Sequence, residues 1–438
     1  MSAEKEQIKV LKSKRLIDGN GGTPIQNAVM VIEGERIKEV GSEGKVSVPA
    51  GAEVIDMGDC TLMPGLIDCV VMNIGMGAEH CKNRRVAADE TPPQLQELYG
   101  LLNWQIGFEN GVTTLLDGRG SGSDMYGEPQ TAEGVALRDA INTGLFAGPR
   151  ALVTGRASIT NSHLSRCNSY FREPPDVNAD GPWELRKLVR RELRRQCDGI
   201  KTTAGGGIGG HGEAIDIRNG TQEELDAIVD ECHAFGKFCV CHCQTSQQQR
   251  MAVKAKMDAL VHIAYTDDET IALIKEANIP IIPTLTHRSN RDIEELAAGG
   301  QPEFIIEKRR RTQAICYENF KKIHQAGIKL ATGSVHGLDW CAFEMEIEVD
   351  LGMTPMEAIL TATKNAAETL KLDKITGTLD VGKFADVIAV NGDPLADIRV
   401  LRDRQNIRMV MKEGMAWIDK RKGHEKSVVQ NWNWKIVD

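Results

Sequence analysis

The sequence lacks the features that mark nucleic-acid-binding and membrane proteins. Its 53 Lys and Arg residues are outnumbered by 62 Asp and Glu, giving a net charge of -9, so no basic excess favours nucleic acid or an acidic membrane surface. No run approaches about 18 uninterrupted apolar residues. Residues 1–19 are charged where a signal peptide needs an apolar core. We therefore expect a cytoplasmic protein without nucleic-acid or membrane partners.

The cysteines also lack the spacing of a disulfide scaffold or a zinc finger. There are eleven, an odd number, scattered along 438 residues with no Cys-x-x-Cys pair. The densest group is Cys239, Cys241, His242 and Cys243, but neighbours on a strand point to opposite faces, so His242 cannot share an ion with the three thiols. We expect reduced thiols.

Periodicity divides the chain into a β-rich start, a long β/α middle and a β-rich end. Residues 8–60 alternate short β-like runs with turn signals, and from about Met63 apolar runs are followed by segments of helical period. Two helix starts carry a capping box, Thr221 with Glu224 and Thr354 with Glu357. After Lys374 strands and tight turns return. The pattern predicts a parallel β/α fold with barrel-type repetition and a small discontinuous β-domain.

Several motifs together resemble the amidohydrolase superfamily along nearly the whole chain. Residues 61–68 (TLMPGLID) resemble the strand that opens its barrels, and three later stretches resemble its C-terminal signature: 352–358 (GMTPMEA), 362–367 (ATKNAA) and 377–387 (GTLDVGKFADV). Three more stretches resemble the imidazolonepropionase-like and Xaa-Pro dipeptidase-like branch: 198–201 (DGIK), 158–160 (SIT) before His163, and 240–242 (VCH). Each motif is weak alone, and their combination is specific.

The resemblance implies an α/β fold, a (β/α)₈ TIM-type barrel over residues 63–374. Residues 1–62 and 375–438 would form a small discontinuous β-sandwich domain. The site would lie at the C-terminal mouth of the strands. Family members commonly hold one or two divalent metals there, on a His-x-His of the first strand, a carboxylated lysine of the fourth, single histidines of the fifth and sixth, and an aspartate of the eighth.

This chain departs from that ligand set at three positions. The two first-strand histidines are replaced by Val70, which cannot bind metal, and Met72, whose thioether suits only soft ions. Val335 stands where the metal-bound aspartate and general base would be. The usual proton carrier is therefore missing.

Lys201, His242 and His262 remain at the fourth, fifth and sixth strand positions. A carboxylated Lys201 with the two imidazoles would give one divalent ion, zinc, the three protein ligands that a catalytic site needs besides water. Alternatively no metal binds and Lys201 is a free amine that acts as base or Schiff-base nucleophile, with neighbouring imidazoles moving protons.

Four further residues are expected to reach the mouth and bind the substrate: His163, His287, Arg288 and His336. The glycine-rich run 205–213 resembles a phosphate loop but lacks its Gly-Lys-Ser/Thr ending, and we interpret it as a mobile loop bordering the site.

Three hypotheses follow for the function. The first is a hydrolase of an amide or other C–N bond, peptide-like, lactam or cyclic, in a small organic molecule, with a mononuclear or atypical metal site. The second is a metal-independent lyase, deaminase-like enzyme or decarboxylase that uses Lys201 and the histidines. The third, ranked last, is a non-catalytic binding homologue. Because members of the resembled family commonly form oligomers, we expect a homo-oligomer.

Overall fold

The structure, a computed structural model, describes residues 8–72, 93–118, 131–163, 178–209, 212–336 and 339–429. Nine of the cysteines fall in these ranges, and all nine are buried and free of disulfides, as expected for reduced thiols. Cys81 and Cys167 lie outside the described residues. None of the described helices is long and apolar enough to cross a membrane.

The small domain is one eight-stranded sheet built from both ends of the chain. Its order is β17-β16-β15-β5-β1-β2-β3, and β4 pairs with β1 beside this path. The strands are β1 (Ile8–Leu16), β2 (Ile25–Glu33), β3 (Arg36–Ser42), β4 (Glu53–Asp56), β5 (Thr61–Pro64), β15 (Val387–Val390), β16 (Ile407–Lys412) and β17 (Met415–Asp419). The antiparallel pair β5 and β15, with Leu62 opposite Ala389, joins the two ends of the chain. The predicted small β-domain is confirmed.

Seven parallel strands form a nearly closed barrel in the order β14-β13-β12-β11-β8-β7-β6. They are β6 (Leu66–Val71), β7 (Val112–Asp117), β8 (Arg150–Arg156), β11 (Gly199–Thr203), β12 (Phe238–His242), β13 (Ala259–Val261) and β14 (Ile281–Ile282). A separate short pair, β9 (Ser158–Ile159) and β10 (Asn178–Ala179), lies outside the barrel sheet.

Residues 330–335 occupy the eighth barrel position between β14 and β6. The amide of Ala331 donates to the Ile281 carbonyl at 3.0 Å, and the amide of Val335 donates to the Val70 carbonyl at 2.7 Å. Hydrogen bonds to both neighbours close the ring, so the predicted barrel is confirmed.

Helices follow the strands as a (β/α) fold requires. They are α1 (Pro93–Glu109), α2 (Thr131–Asn142), α3 (Gly181–Arg194), α4 (Gln222–Ala234), α5 (Ser246–Lys254), α6 (Asp268–Ala277), α7 (Asn290–Ala298), α8 (Glu303–Gln325), α9 (Trp340–Asp350), α10 (Pro355–Thr361) and α11 (Lys364–Thr369), with 3₁₀ segments at Leu285–Arg288 and Ile398–Arg402. Both predicted capping boxes are present, with Thr221 accepting from the amide of Glu224 and Thr354 from that of Glu357.

Candidate active site

Two imidazoles from adjacent strands meet at the mouth of the barrel. His242 ends β12, and His262 directly follows β13. Their ring centroids are 4.6 Å apart in an edge-to-face arrangement, and both side chains are buried. His262 has a positive φ of 79°, a conformation that non-glycine residues rarely adopt and that costs energy. The parallel register of β12 and β13 thus brings together two residues that lie twenty positions apart.

Hydrogen bonding assigns the tautomer of each ring. His242 Nε2 lies 3.2 Å from the carbonyl oxygen of Gly206, which only accepts, so Nε2 carries the hydrogen and Nδ1 the lone pair. His262 Nδ1 lies 2.6 Å from Thr284 Oγ1, whose own hydrogen is donated to the Pro283 carbonyl at 2.7 Å. His262 Nδ1 must therefore donate, and the lone pair is on Nε2. Each imidazole keeps one nitrogen able to bind a cation or accept a proton.

The electrostatic environment keeps both rings neutral. Burial is the largest cause that lowers the pKa of His242 well below its usual value, and the charges of His163, Lys201 and Arg288 lower it further. Burial likewise lowers the pKa of His262, with additional contributions from His242 and Arg288. Neutral imidazoles are the form that binds metals.

Lys201 enters the mouth from β11 and lies beside Met72. It is 2% exposed, and its Nζ lies 3.5 Å from Met72 Sδ. A methyl group added at Gly118 would lie 3.6 Å from the same Nζ and 3.4 Å from Val70. Both are ordinary van der Waals distances, so Gly118 borders the amine and a methyl group would fit there.

The replaced positions Val70 and Val335 lie side by side near the C-terminal ends of their strands, at the mouth of the barrel. Both belong to one cluster of buried hydrophobic residues, against which Met72 packs. Val335 has a φ of 65°, which is a genuine outlier for a β-branched residue. Carbon therefore occupies the places where the resembled family has imidazole and carboxylate groups.

The other predicted site histidines extend the pair into one row of five rings. His163 stacks on His242 at 4.4 Å, His287 lies 5.8 Å from His262, and His336 lies 5.7 Å from His287. The structure thus places all five at the mouth, although their roles stay predictions.

Each end of the row has a carboxylate that sequence reasoning missed. His163 Nδ1 lies 2.9 Å from Oε2 of the buried Glu213, and His336 Nε2 lies 2.8 Å from Oδ1 of the buried Asp292. Burial alone would raise the pKa of Glu213, but the hydrogen bond and charge of His163 outweigh it and lower that pKa. Glu213 ends the glycine-rich run and could have been noticed there, whereas nothing in the sequence around Asp292 indicates its partner.

The glycine-rich run borders the site, as predicted, and its described glycines pack closely. The Gly206 carbonyl accepts from His242, and a Cβ built on Gly207 would lie 2.1 Å from Cε1 of His163. Gly205, Gly206 and Gly207 are all buried, so they form a wall of the site and not an open loop. Residues 210 and 211 of the run lie outside the described residues.

Arg288, predicted to contact substrate, is fully buried beside the row. Its Nη2 donates to Gln244 Oε1 at 2.6 Å, and its Nε donates to Thr312 Oγ1 at 3.1 Å. Gln244 was not predicted from the sequence. It follows His242 by two residues, and strand alternation alone would have placed it on the same side.

Two buried carboxyl groups hold the loops behind the row. Asp68 accepts from the amide of Ser334 at 3.0 Å, and Glu344 accepts from the amides of Leu285 and Thr286 at 2.6 and 2.7 Å. Burial raises the pKa of Asp68 to about 6 and that of Glu344 to about 7, against the hydrogen bonds that lower both. These carboxyl groups hold the segments that carry His287 and His336.

A divalent metal, which the resemblance implies, fits this donor set in part. His242 and His262 offer two neutral nitrogens whose other N–H groups are anchored, the usual arrangement of metal-binding imidazoles. In the described part of the chain, no three His, Cys, Asp or Glu side chains are grouped so that they could hold an ion. A third ligand would have to be Lys201 in its carboxylated form, so the residues suit one ion and not two.

Known proteins of similar sequence share this architecture. A model of the amidohydrolase family matches residues 61–416. Ochratoxinase of Aspergillus niger is 28% identical over 437 residues, covering 94% of this chain and 87% of that protein. Imidazolonepropionase of Streptomyces avermitilis is 23% identical over 393 residues, covering 84% of this chain and 83% of that protein.

Solved structures of related proteins have the same fold as this chain. The structure of a Xaa-Pro dipeptidase with methionine bound in its active site superposes with a TM-score of 0.82 at 27% identity, covering 94% of this chain and 100% of that one. The structure of the A. niger ochratoxinase gives 0.79 at 26%, covering 95% and 96%. The resemblance to this branch, inferred from the motifs, is confirmed. The chain belongs to the amidohydrolase family and is a hydrolase that acts on carbon–nitrogen bonds other than ordinary peptide bonds.

Proposed function

We propose that the protein hydrolyses an amide or other C–N bond, peptide-like, lactam or cyclic, in a small organic molecule. One divalent metal ion, zinc, is held by His242, His262 and a carboxylated Lys201. The observation that carries the proposal is the tautomer pair, because His242 Nδ1 and His262 Nε2 keep their lone pairs on rings 4.6 Å apart. Similarity to an ochratoxinase and to an imidazolonepropionase supports a substrate other than an ordinary peptide.

When bound, a divalent ion supplies Lewis-acid activation of water and of the scissile carbonyl. The carbonyl of Gly206 and the hydroxyl of Thr284 orient the two imidazoles that would hold it. The apolar side chains of Val70 and Val335 exclude water from their side of the site. Electrostatic interactions next to them are stronger as a result.

Protons are handled by the histidines at the two ends of the row, since Val335 replaces the usual aspartate. Glu213 contacts Nδ1 of His163 and so orients this ring for proton exchange. At the other end of the row, the carboxylate of Asp292 lies 2.8 Å from Nε2 of His336.

Metal analysis of the purified protein tests this proposal. We expect one zinc per chain, an intact mass that carries one added CO₂ on Lys201, and loss of both zinc and amide hydrolysis in Lys201→Ala. His424→Ala is the matched control, because His424 is exposed and far along the chain from the row. Metal-free protein whose turnover survives chelators would overturn the metal-dependent mechanism.

A second candidate, a metal-independent enzyme, is favoured by the contact between Lys201 and Met72. The buried amine donates to a thioether, which is a weak acceptor without charge, and a buried lysine can serve as a Schiff-base nucleophile. Such an enzyme would form an imine between Nζ and a carbonyl substrate, which borohydride reduces to a stable adduct on Lys201. Adduct formation by metal-free wild type, absent in Lys201→Arg, would select this candidate.

The cytoplasmic location, the homo-oligomer and a substrate that is a small molecule stay predictions from the sequence. Size-exclusion chromatography with light scattering measures the oligomeric state directly.

A further inference from the structure

Arg288 is a buried cation without a counter-charge. The side chain is 0% exposed, and no carboxylate of the described residues lies within ion-pair distance. Its Nη1 is buried and has no hydrogen-bond acceptor. Two other arginines differ, since the buried Arg309 is paired with Asp292, and the partly buried Arg150 is paired with Asp386 and Glu413. Burying a guanidinium without a partner is unfavourable unless an anion completes the site.

Gln244 presents a second incomplete donor at the same place. Its Oε1 accepts from Arg288 Nη2 at 2.6 Å, which orients the amide, and its buried Nε2 has no acceptor. One side-chain contact therefore holds two N–H donors, Arg288 Nη1 and Gln244 Nε2, that are both unsatisfied. Two donors on neighbouring groups match the two oxygens of a carboxylate.

The neighbouring carboxylate cannot fill this role. Glu344 holds the 3₁₀ segment that carries Arg288, but its oxygens accept from the amides of Leu285 and Thr286. It is therefore committed to the backbone and does not reach the guanidinium.

Arg288 and Gln244 are neighbours in sequence of the imidazole row and of a residue that lines a cleft. Arg288 directly follows His287, and its charge is one of the causes that lower the pKa of His242 and His262. Thr245, the residue after Gln244, lines a cleft of about 730 Å³ together with Ser246 and Tyr265. An anionic group held by this pair would lie within electrostatic range of His242 and His262.

We infer that Arg288 and Gln244 form an anion-binding subsite and that the substrate carries a carboxylate which this pair recognises. That the bound anion is a substrate rests on the proposed function. Binding of an anion to the pair requires neither metal nor turnover. Recognition is by charge and by two hydrogen bonds in a desolvated place, so the uncharged amide of the same compound is rejected.

A purely structural role makes a different prediction. Arg288 also holds its 3₁₀ segment against α8 through Thr312. If that were all, an acid and its amide would bind equally, and the loss of Arg288 would change stability alone.

Calorimetric titration of the purified full chain tests the inference, with hippurate as the acid, hippuramide as its neutral analogue and inorganic phosphate as a second anion. We expect wild type to bind hippurate. Hippuramide and phosphate should bind at least about tenfold more weakly, which is the change expected on losing one charge-assisted hydrogen bond. Equal affinity for acid and amide, or no binding of either, overturns the carboxylate subsite. Tighter binding of phosphate would assign the pair to a phosphorylated ligand and overturn it as well.

Variants locate the site. Arg288→Met and Gln244→Leu are each expected to lose the preference for hippurate, whereas Arg310→Met, an exposed arginine paired with Glu303, keeps it. If Arg288→Met fails to fold, Gln244→Leu decides the assignment alone. Loss of preference in Arg311→Met, the exposed arginine of the cleft, with Arg288→Met unchanged, would place the anion elsewhere. Failure of hydrolysis with this preference intact would count against the proposed function only.

Discussion

The Nζ of Lys201 lies 3.5 Å from the Sδ of Met72, so the fourth-strand lysine and the first-strand replacement touch across the barrel mouth. Met72 stands where the resemblance implies the second histidine of a His-x-His pair. A thioether is a weak acceptor and a soft ligand, which favours neither zinc nor a charged lysine. Whether the mechanism uses a metal ion or a free lysine amine can therefore be tested at Lys201 and Met72.

Replacing Met72 with histidine should therefore strengthen metal binding. Met72→His supplies a third nitrogen beside Lys201 and the His242–His262 pair, and nitrogen is a preferred zinc ligand. We expect zinc to be retained through dialysis against a chelator better than in wild type, as measured by elemental analysis. Met72→Leu is the control for packing. Equal retention in all three proteins would show that position 72 does not face the ion.

The hydroxyl of Thr284 should matter for zinc affinity without touching the ion. Thr284→Val removes the acceptor that holds the Nδ1 hydrogen of His262, so the ring loses its fixed tautomer and orientation. Losing such a partner typically weakens metal affinity by about 10- to 100-fold. Competition with a chromogenic chelator measures the change. Thr143→Val, on an exposed turn, is the matched control, and an unchanged affinity in Thr284→Val would contradict the assigned tautomer.

Gly207 should be intolerant of any side chain because of His163. The methyl group of Gly207→Ala would lie 2.1 Å from His163 Cε1, so the ring must leave its present stacked position on His242. We expect kcat/KM to fall by about 100-fold, the scale of a displacement near one ångström at a site. Circular dichroism and Tm should show a retained fold.

Gly22→Ala is the control for this variant, since a Cβ there meets no atom within 4 Å. Wild-type kinetics in Gly207→Ala would mean that His163 takes no part in binding or turnover.

The buried carboxyl of Asp68 should make stability fall as pH rises. Burial raises its pKa to about 6 in the folded protein, whereas the pKa of an aspartate in an unfolded chain is about 4. Between these values the folded state binds more protons than the unfolded state, so the free energy of unfolding decreases with increasing pH. The full effect is about 3 kcal/mol. Glu344, with a pKa of about 7, adds a contribution of the same sign.

Urea denaturation at about pH 4 and about pH 8 measures this slope. Asp68→Asn should flatten it, and the exposed Asp59→Asn should not. A slope in Asp68→Asn as steep as that of wild type would contradict the raised pKa.

Much of the fold could be predicted because its signals are local. The capping boxes at Thr221 and Thr354 depend on residues three positions apart, and both are present. The motifs placed Lys201 and His242 on the fourth and fifth barrel strands and His262 at the sixth, and in the structure His262 directly follows that strand. Such patterns need no knowledge of contacts between distant segments.

The partners of these residues could not be predicted, because they come from distant loops. Glu213 meets His163 across fifty positions, and Asp292 meets His336 across forty-four, and no periodicity links either pair. The row of five imidazoles likewise depends on ring orientations that the barrel sets only once it is closed.

The sequence by itself determined the family, the barrel and the loss of ligands at Val70, Met72 and Val335, because residue identity alone decides whether an atom can bind a metal. Only the tertiary structure decided which nitrogen of His242 and His262 keeps its lone pair, and that Arg288 is buried without a counter-charge. Tautomer and ion pairing depend on the distance and direction of groups from other strands. Those are properties of packing, and they arise only when the chain has folded.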